Sequence, residues 1–275
     1  MSKSSPALEN APGAEEQAAR FRRDGYLAGI RVQGAAESDR VRLRFDQLEA
    51  AEGRERCQIG LVDRHFDQRF AWDIATHPAI LGAIEGVIGP DILLLATHFF
   101  CKYPDAAGTG PAGRFVAWHQ DVTYWGLEPP FAVTAWYAVD DADVENGCMR
   151  VIPGTHRALR PHGKAERPGN LLSINQEVPV LPEEEARAVD VCLRAGEISL
   201  HHGMLIHGSN PNRSGRRRCG MTIRYIPPHV RVIAENSMRR PWAAVLVRGS
   251  DRFGHHSPRP APFPQRRSPE PSGAE

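Results

Sequence analysis

The run Trp118-His119-Gln120-Asp121 places an imidazole and a carboxylate two residues apart, and a further candidate imidazole, His207, follows much later in the chain. Two neutral nitrogens and one anionic oxygen on one face of a divalent iron leave positions open for dioxygen and a co-substrate. That is the 2-His-1-carboxylate arrangement of non-haem Fe(II) oxygenases. Side chains of a strand alternate between faces, so His119 and Asp121 grip one ion from a strand while Gln120 turns away. A helix would hold the two roughly 200° apart around its axis. His119, Asp121 and His207 are therefore the candidate metal ligands.

His207 closes the segment Gly196-Glu-Ile-Ser-Leu-His-His-Gly-Met-Leu-Ile-His207, an apolar strand with three histidines; His201 and His202 compete with His207 on residue type alone. Gly208-Ser-Asn-Pro-Asn-Arg-Ser-Gly215 then reads as a turn, and a second strand runs to Tyr225. A symmetrical hairpin would set Arg218 opposite His207, with Cβ atoms about 5 Å apart. Iron oxygenases of this type draw two electrons from 2-oxoglutarate. The far carboxylate of that molecule suits the planar fork of an arginine. Arg218 is the candidate, assisted by the Ser209 hydroxyl. Arg213, Arg216 and Arg217 read as a solvated charged turn, whereas alternation with Gly220 and Thr222 turns Arg218 inward.

Together these fragments make the chain resemble the phytanoyl-CoA dioxygenase family of Fe(II)/2-oxoglutarate oxygenases. The resemblance runs from the Phe21-Arg-Arg-Asp-Gly-Tyr-Leu27 segment to near Phe253. It rests on Trp118-His-Gln-Asp121, on Glu145-Asn-Gly-Cys-Met-Arg-Val-Ile-Pro-Gly-Thr-His156, and on His207-Gly-Ser209 followed by Arg218. It implies that His119, Asp121 and His207 bind Fe(II), that Ser209 and Arg218 hold 2-oxoglutarate, and that O2 is the second co-substrate. It also implies a supporting contact from Trp136, and one from His98; a place in the buried core suits Trp136 as well and His98 slightly better. Halogenating members of the family carry a small residue where Asp121 stands, so the resemblance implies hydroxylation or a related oxidation of a small-molecule substrate. Its identity is left open, with Tyr124, Trp125, Asn175, Gln176 and Arg224 as candidates to read it. Arg224 shares parity with Arg218 and suits either an anionic group or an internal salt bridge. The contrasting reading is a jelly roll that binds a metal or ligand without catalysis.

The elements that must position these residues divide into two parts. Helices are expected over 15–23, ending at Gly25; over 37–52, with Val41, Phe45 and Leu48 on one stripe; and from Pro78 to Gly89, with Ile80, Leu81, Ile84, Val87 and Ile88 on one stripe. From Asp91 onward the pattern changes to strands, expected over 92–103, 115–121, 131–139, 148–152, 171–178, 197–207 and 217–226. Strands so spaced, with few helices between them, predict a mainly β fold. Its core is a double-stranded β-helix, or jelly roll, with the N-terminal helices packed outside. Residues 14–253 are expected to form one domain, between a disordered N-terminus (1–13) and a disordered, Pro- and Arg-rich tail (254–275).

A net charge of +1 argues against a nucleic-acid surface, and no stretch approaches a membrane span. Five cysteines without a C-x-x-C pair argue against a disulfide framework and fit a reducing cytoplasm. Gly108-Thr-Gly-Pro-Ala-Gly113 matches the dinucleotide-binding pattern, but Pro111 removes an amide donor and a strand rather than a helix follows. It is read as a loop.

Overall fold

The computed structural model of the chain describes residues 13–104, 113–165, 168–172, 174–233 and 242–264. The expectation for the N-terminus falls almost wholly outside them, as do residues 108–112 of the glycine-rich loop and 265–275 of the tail.

Helices α1 (Ala14–Asp24), α2 (Ala35–Glu52), α3 (Arg54–Ile59), α4 (Arg69–Ala75) and α5 (Pro78–Ile88) precede most of the sheet, and a short α6 (Pro182–Glu185) comes later. The strands are β1 (Tyr26–Arg31), β2 (Ile92–Lys102), β3 (Val116–His119), β4 (Leu127–Glu128), β5 (Val133–Ala138), β6 (Met149–Val151) and β7 (Gly163–Lys164). They continue as β8 (Gln176–Glu177), β9 (Val189–Val191), β10 (Glu197–His202), β11 (His207–Ser209), β12 (Arg218–Ile226), β13 (Arg231–Val232) and β14 (Val245–Arg248). Six of them pair in the order β1-β10-β5-β12-β2-β14, and four face them in the order β3-β11-β6-β9. Every ladder between these strands is antiparallel. This is the expected jelly roll.

Period-two alternation sorts the six-stranded sheet into two faces. Phe99 and Cys101 of β2, Val133, Ala135 and Tyr137 of β5, Ile198 and Leu200 of β10, and Cys219, Met221, Ile223 and Tyr225 of β12 share one apolar cluster with the helices. Phe21, Val41, Phe45, Leu48, Trp72, Ile80 and Ile84 are the helical half of it. The intervening residues, among them His98, Trp136, His201, Arg218, Thr222 and Arg224, point the other way and line a cavity. Polar side chains therefore collect on the face turned toward the small sheet.

Local rules account for the helix ends. Gly25 terminates α1 at φ 81°, its N–H bonded to Phe21 O at 2.8 Å, and a Cβ there would overlap the His156 ring. Pro78 opens α5 behind His77, whose ring nitrogen accepts from Ala79 N at 3.2 Å. Helices α3 and α4 were not expected, being too short to show a full apolar stripe. Residues 254–264, read in the sequence as tail, contribute Phe263 to the main core and a bond from Arg259 N to Ala244 O of 2.8 Å.

One strand expectation fails instructively. Residues 197–207 do not form a single strand: the chain turns at Gly203 and Met204, so β10 belongs to the large sheet and β11 to the small one. Gly203 donates to Ala132 O at 2.8 Å and accepts from Val122 N at 3.1 Å, and a Cβ on it would overlap Val122. The hairpin pairing His207 with Arg218 is accordingly absent. His207 pairs with His119 and Val151, and Arg218 with Lys102.

His65 carries a testable consequence of this core. It is fully buried, with Nδ1 at 2.9 Å from Thr97 Oγ1, and burial pushes its pKa down to about 4. The unfolded chain then takes up the proton first, so stability is full above pH 6.5 and falls as pH drops toward 4. The loss expected from this one group is about 2 kcal/mol at pH 5. Urea unfolding from pH 7 to 5 checks it, with His65→Gln flattening the slope by that amount.

Candidate metal and co-substrate site

His119 and His207 are cross-strand partners on β3 and β11, their ring centroids 4.1 Å apart. Strand β3 ends at His119, and Asp121 begins a 3-10 turn instead of continuing the strand as expected. Gln120 between them stays extended (φ −119°, ψ 124°), so the two side chains still converge. Ligand atoms of His119, Asp121 and His207 all lie within 4.8 Å of one another, and all three side chains are buried.

The tautomers suit a metal. Nδ1–H of His119 donates to Ala117 O and Nδ1–H of His207 to Leu205 O, each at 2.9 Å. A carbonyl can only accept, so the proton sits on Nδ1 and the Nε2 lone pair faces the cluster. Burial, reinforced by the neighbouring imidazoles His119 and His201, holds the His207 pKa well below its ordinary value, keeping it a neutral ligand. Burial opposes ionisation of Asp121. The imidazoles of His119 and His201 beside it, with the fields of His207 and Arg224, outweigh it and hold the carboxyl well below the usual carboxylate range. Oδ1 lies 3.6 Å from His119 Nε2, while Oδ2 takes the Thr134 hydroxyl at 3.4 Å and lies 3.6 Å from His201 Nε2. Two imidazoles and one anion with their lone pairs aimed at a common point fit a divalent first-row ion.

The cavity, of about 270 Å³, opens between the two sheets. Arg218 and Lys102 are neighbours in the β12–β2 ladder, both almost fully buried. Burial, and next the Arg218 charge, lowers the Lys102 pKa; burial likewise lowers that of Arg218. Two cations side by side out of water cost free energy until an anion joins them. Lys102 Nζ donates to Ser209 Oγ at 2.6 Å and also to Asn210 O, while Arg218 Nε has no protein partner among the described residues. The Arg218 guanidinium lies 5.5 Å from the Trp136 ring centroid. Gly220, two residues on, has no side chain because the Trp136 indole occupies the place of its Cβ.

The structure thus brings His119, Asp121, His207, Ser209, Arg218 and Trp136 around one cavity. His98 lines it too, but its Nε2–H donates to Ile59 O at 2.6 Å, which ties β2 to α3 and leaves the ring no donor for a co-substrate. His202 is elsewhere, packed against Phe131 and His156 at 5.1 and 5.3 Å. Tyr124, Trp125 and Arg224 line the cavity. Asn175 instead bonds Asn170 and Ala165 O, each at 3.1 Å, and Gln176 sits in the β7–β8 ladder. Arg217, expected in a solvated turn, is half-buried between Asp140, Glu49 and Asp46 at 2.8, 2.7 and 2.8 Å, and anchors β12 to α2. From the sequence, Lys102 is not named as a site residue, and His201 enters only as an alternative to His207 for the metal. Lys102 shares parity with His98 on β2, a signal that could find it; the place of His201 beside Asp121 follows only once its strand is separated from β11.

A family model for phytanoyl-CoA dioxygenase matches residues 21–220. Human peroxisomal phytanoyl-CoA dioxygenase is 33% identical over 141 residues, covering 50% of this chain and 40% of that protein. Among solved structures, the apo form of the non-heme monooxygenase ThoJ superposes with a TM-score of 0.72 at 31% identity, covering 90% of this chain and 88% of that one. The epimerase SnoN, in complex with Fe3+, alpha-ketoglutarate and nogalamycin RO, superposes at 0.65 with 27% identity, covering 80% and 85%.

Proposed function

The chain belongs to the phytanoyl-CoA dioxygenase family, and from that premise we propose that it is an Fe(II)- and 2-oxoglutarate-dependent dioxygenase that oxidises a C–H bond of a small molecule. The observation that carries the reading is the convergence of His119, Asp121 and His207 beside the buried cation pair Arg218 and Lys102. Iron at this site, with O2, supplies the oxidising power that converts 2-oxoglutarate to succinate and CO2 and oxidises the substrate.

The chain's own residues do the rest. His119 and His207 present Nε2 in fixed tautomers, and Asp121 supplies the anionic oxygen, its other oxygen steadied by Thr134 and His201. Arg218 receives the distal carboxylate of 2-oxoglutarate, with Ser209 and Lys102 beside it and Trp136 as a wall. Hydroxylation rather than halogenation is the reading Asp121 supports, because halogenating members of the family need that coordination position free.

No helix among the described residues is long and apolar enough to cross a membrane. The cysteines are all unbridged, which supports a reducing, cytoplasmic setting.

Anaerobic addition of Fe(II) and then 2-oxoglutarate tests the proposal. A weak visible charge-transfer band that saturates at one equivalent of each is the expected result. Folded protein that stays colourless, and gives no succinate in air, would sink it in favour of a non-catalytic binding jelly roll.

A further inference from the structure

Arg224 is the cation that the co-substrate site does not use. It lies on β12 on the same face as Arg218 and Thr222 and lines the same cavity. Six residues of strand separate it from Arg218, roughly 20 Å, so one small dicarboxylate held at Arg218 does not span both. Its Nε is buried with no hydrogen-bond partner, and among the described residues its guanidinium makes no ion pair. Its guanidinium lies over the face of Trp125, 4.9 Å from the centroid. Two other arginines withdrawn from solvent are neutralised: Arg217 by Asp140, Glu49 and Asp46, and Arg64 by Glu52 and Asp67. Among the described residues, the internal salt bridge that the sequence left open for Arg224 does not form. The acidic group whose field favours its charge is Asp121, which belongs to the metal cluster.

A guanidinium taken from water without a counter-ion is costly, and such a cost in an open cavity marks a place that a ligand fills. We infer that Arg224 receives an oxyanion, a carboxylate or phosphate, of the primary substrate, and that the substrate's apolar body lies against Trp125, Tyr124 and Trp242. The inference rests on the oxygenase reading and names its substrate class: a small-molecule acid. Register supports the placement. Arg224 is the cross-strand partner of Thr134, whose hydroxyl reaches Asp121 at 3.4 Å. An acid anchored there presents carbons close to its anionic group to the metal cluster. Arginine's planar fork also gives orientation, since two parallel hydrogen bonds fix the rotation of a carboxylate.

The full-length protein, loaded anaerobically with redox-silent Mn(II) and saturating 2-oxoglutarate, is titrated with matched acids and amides. Benzoate against benzamide and indole-3-acetate against indole-3-acetamide serve as probes, with phenyl phosphate to separate the two oxyanions. Thermal shift and quenching of tryptophan fluorescence report binding. The acids, or phenyl phosphate, should bind at least tenfold tighter than the amides. Arg224→Gln should erase that preference, and Arg224→Lys should keep part of it. The shift caused by Mn(II) and 2-oxoglutarate is measured in each variant first, as a control for folding. Should Arg224→Gln not fold, the acid-to-amide ratio in the wild type and in Arg224→Lys decides. Equal binding of acids and amides, no binding of any acid or of phenyl phosphate, or a preference that survives Arg224→Gln overturns the inference. So does an Arg224→Gln protein that loses the 2-oxoglutarate shift but keeps the acid preference. A wild type that shows no shift with Mn(II) and 2-oxoglutarate would instead sink the oxygenase reading itself.

Discussion

Asp121→Ala abolishes coupled turnover, with succinate formation falling by about a thousandfold or more. Losing an outer partner of a metal ligand commonly costs tenfold to a hundredfold in affinity, and here a ligand itself is lost, the only anionic one of the three. The neutral histidines cannot compensate. The Nε2 atoms of His119 and His201 both lie 3.6 Å from Asp121 oxygens, and would be left facing a void. Asp121→Asn separates charge from shape. Its amide fills the same space, but it offers a weakly basic oxygen and turns an NH2 toward one of the two imidazoles, so it too should lose most of its iron. Bound Fe(II) after gel filtration and succinate release are the two measurements, and retention of a tenth of wild-type turnover by Asp121→Ala would remove this residue from the metal site.

Arg218→Gln should raise the KM for 2-oxoglutarate about a hundredfold, and kcat at saturating co-substrate should fall much less. A charge-assisted, bidentate bond in a buried site is worth roughly 3 kcal/mol, and each tenfold in affinity corresponds to about 1.4 kcal/mol. Loss on the KM side is the signature of an interaction made equally in ground and transition states. Arg218→Lys should recover little, because a point charge cannot reproduce the fork, and Lys102 already sits beside it in the ladder. Should the variant keep a wild-type KM, the co-substrate lies elsewhere in the cavity and Arg218 only props Trp136.

Much of the site is legible in the amino-acid sequence. The i, i+2 spacing of His119 and Asp121 requires only that the chain between them be extended, which it is, even though the strand stops at His119. Alternation along β12 places Arg218, Thr222 and Arg224 on one face because a period of two survives until the irregularity between Arg224 and Tyr225. The sheet to which a strand belongs is not legible. An apolar run from 197 to 207 has the same pattern whether it stays in one sheet or crosses to the other, and only the crowding of Gly203 between Ala132 and Val122 decides it. Lys102 is hidden for a different reason. A lysine at the end of a strand ordinarily reaches solvent, and its burial depends on Ser209 and Asn210 arriving from the opposite sheet.

That division between sheets reaches beyond catalysis. His119 and His207 ride on the short four-stranded wall, whereas Arg218 and Lys102 ride on the long one. Whatever occupies both halves of the cavity therefore staples the sandwich across its gap, and the protein should breathe less, and resist proteases better, when loaded. With 2-oxoglutarate as the proposed occupant, the chain without it is expected to be looser and more easily cut by proteases.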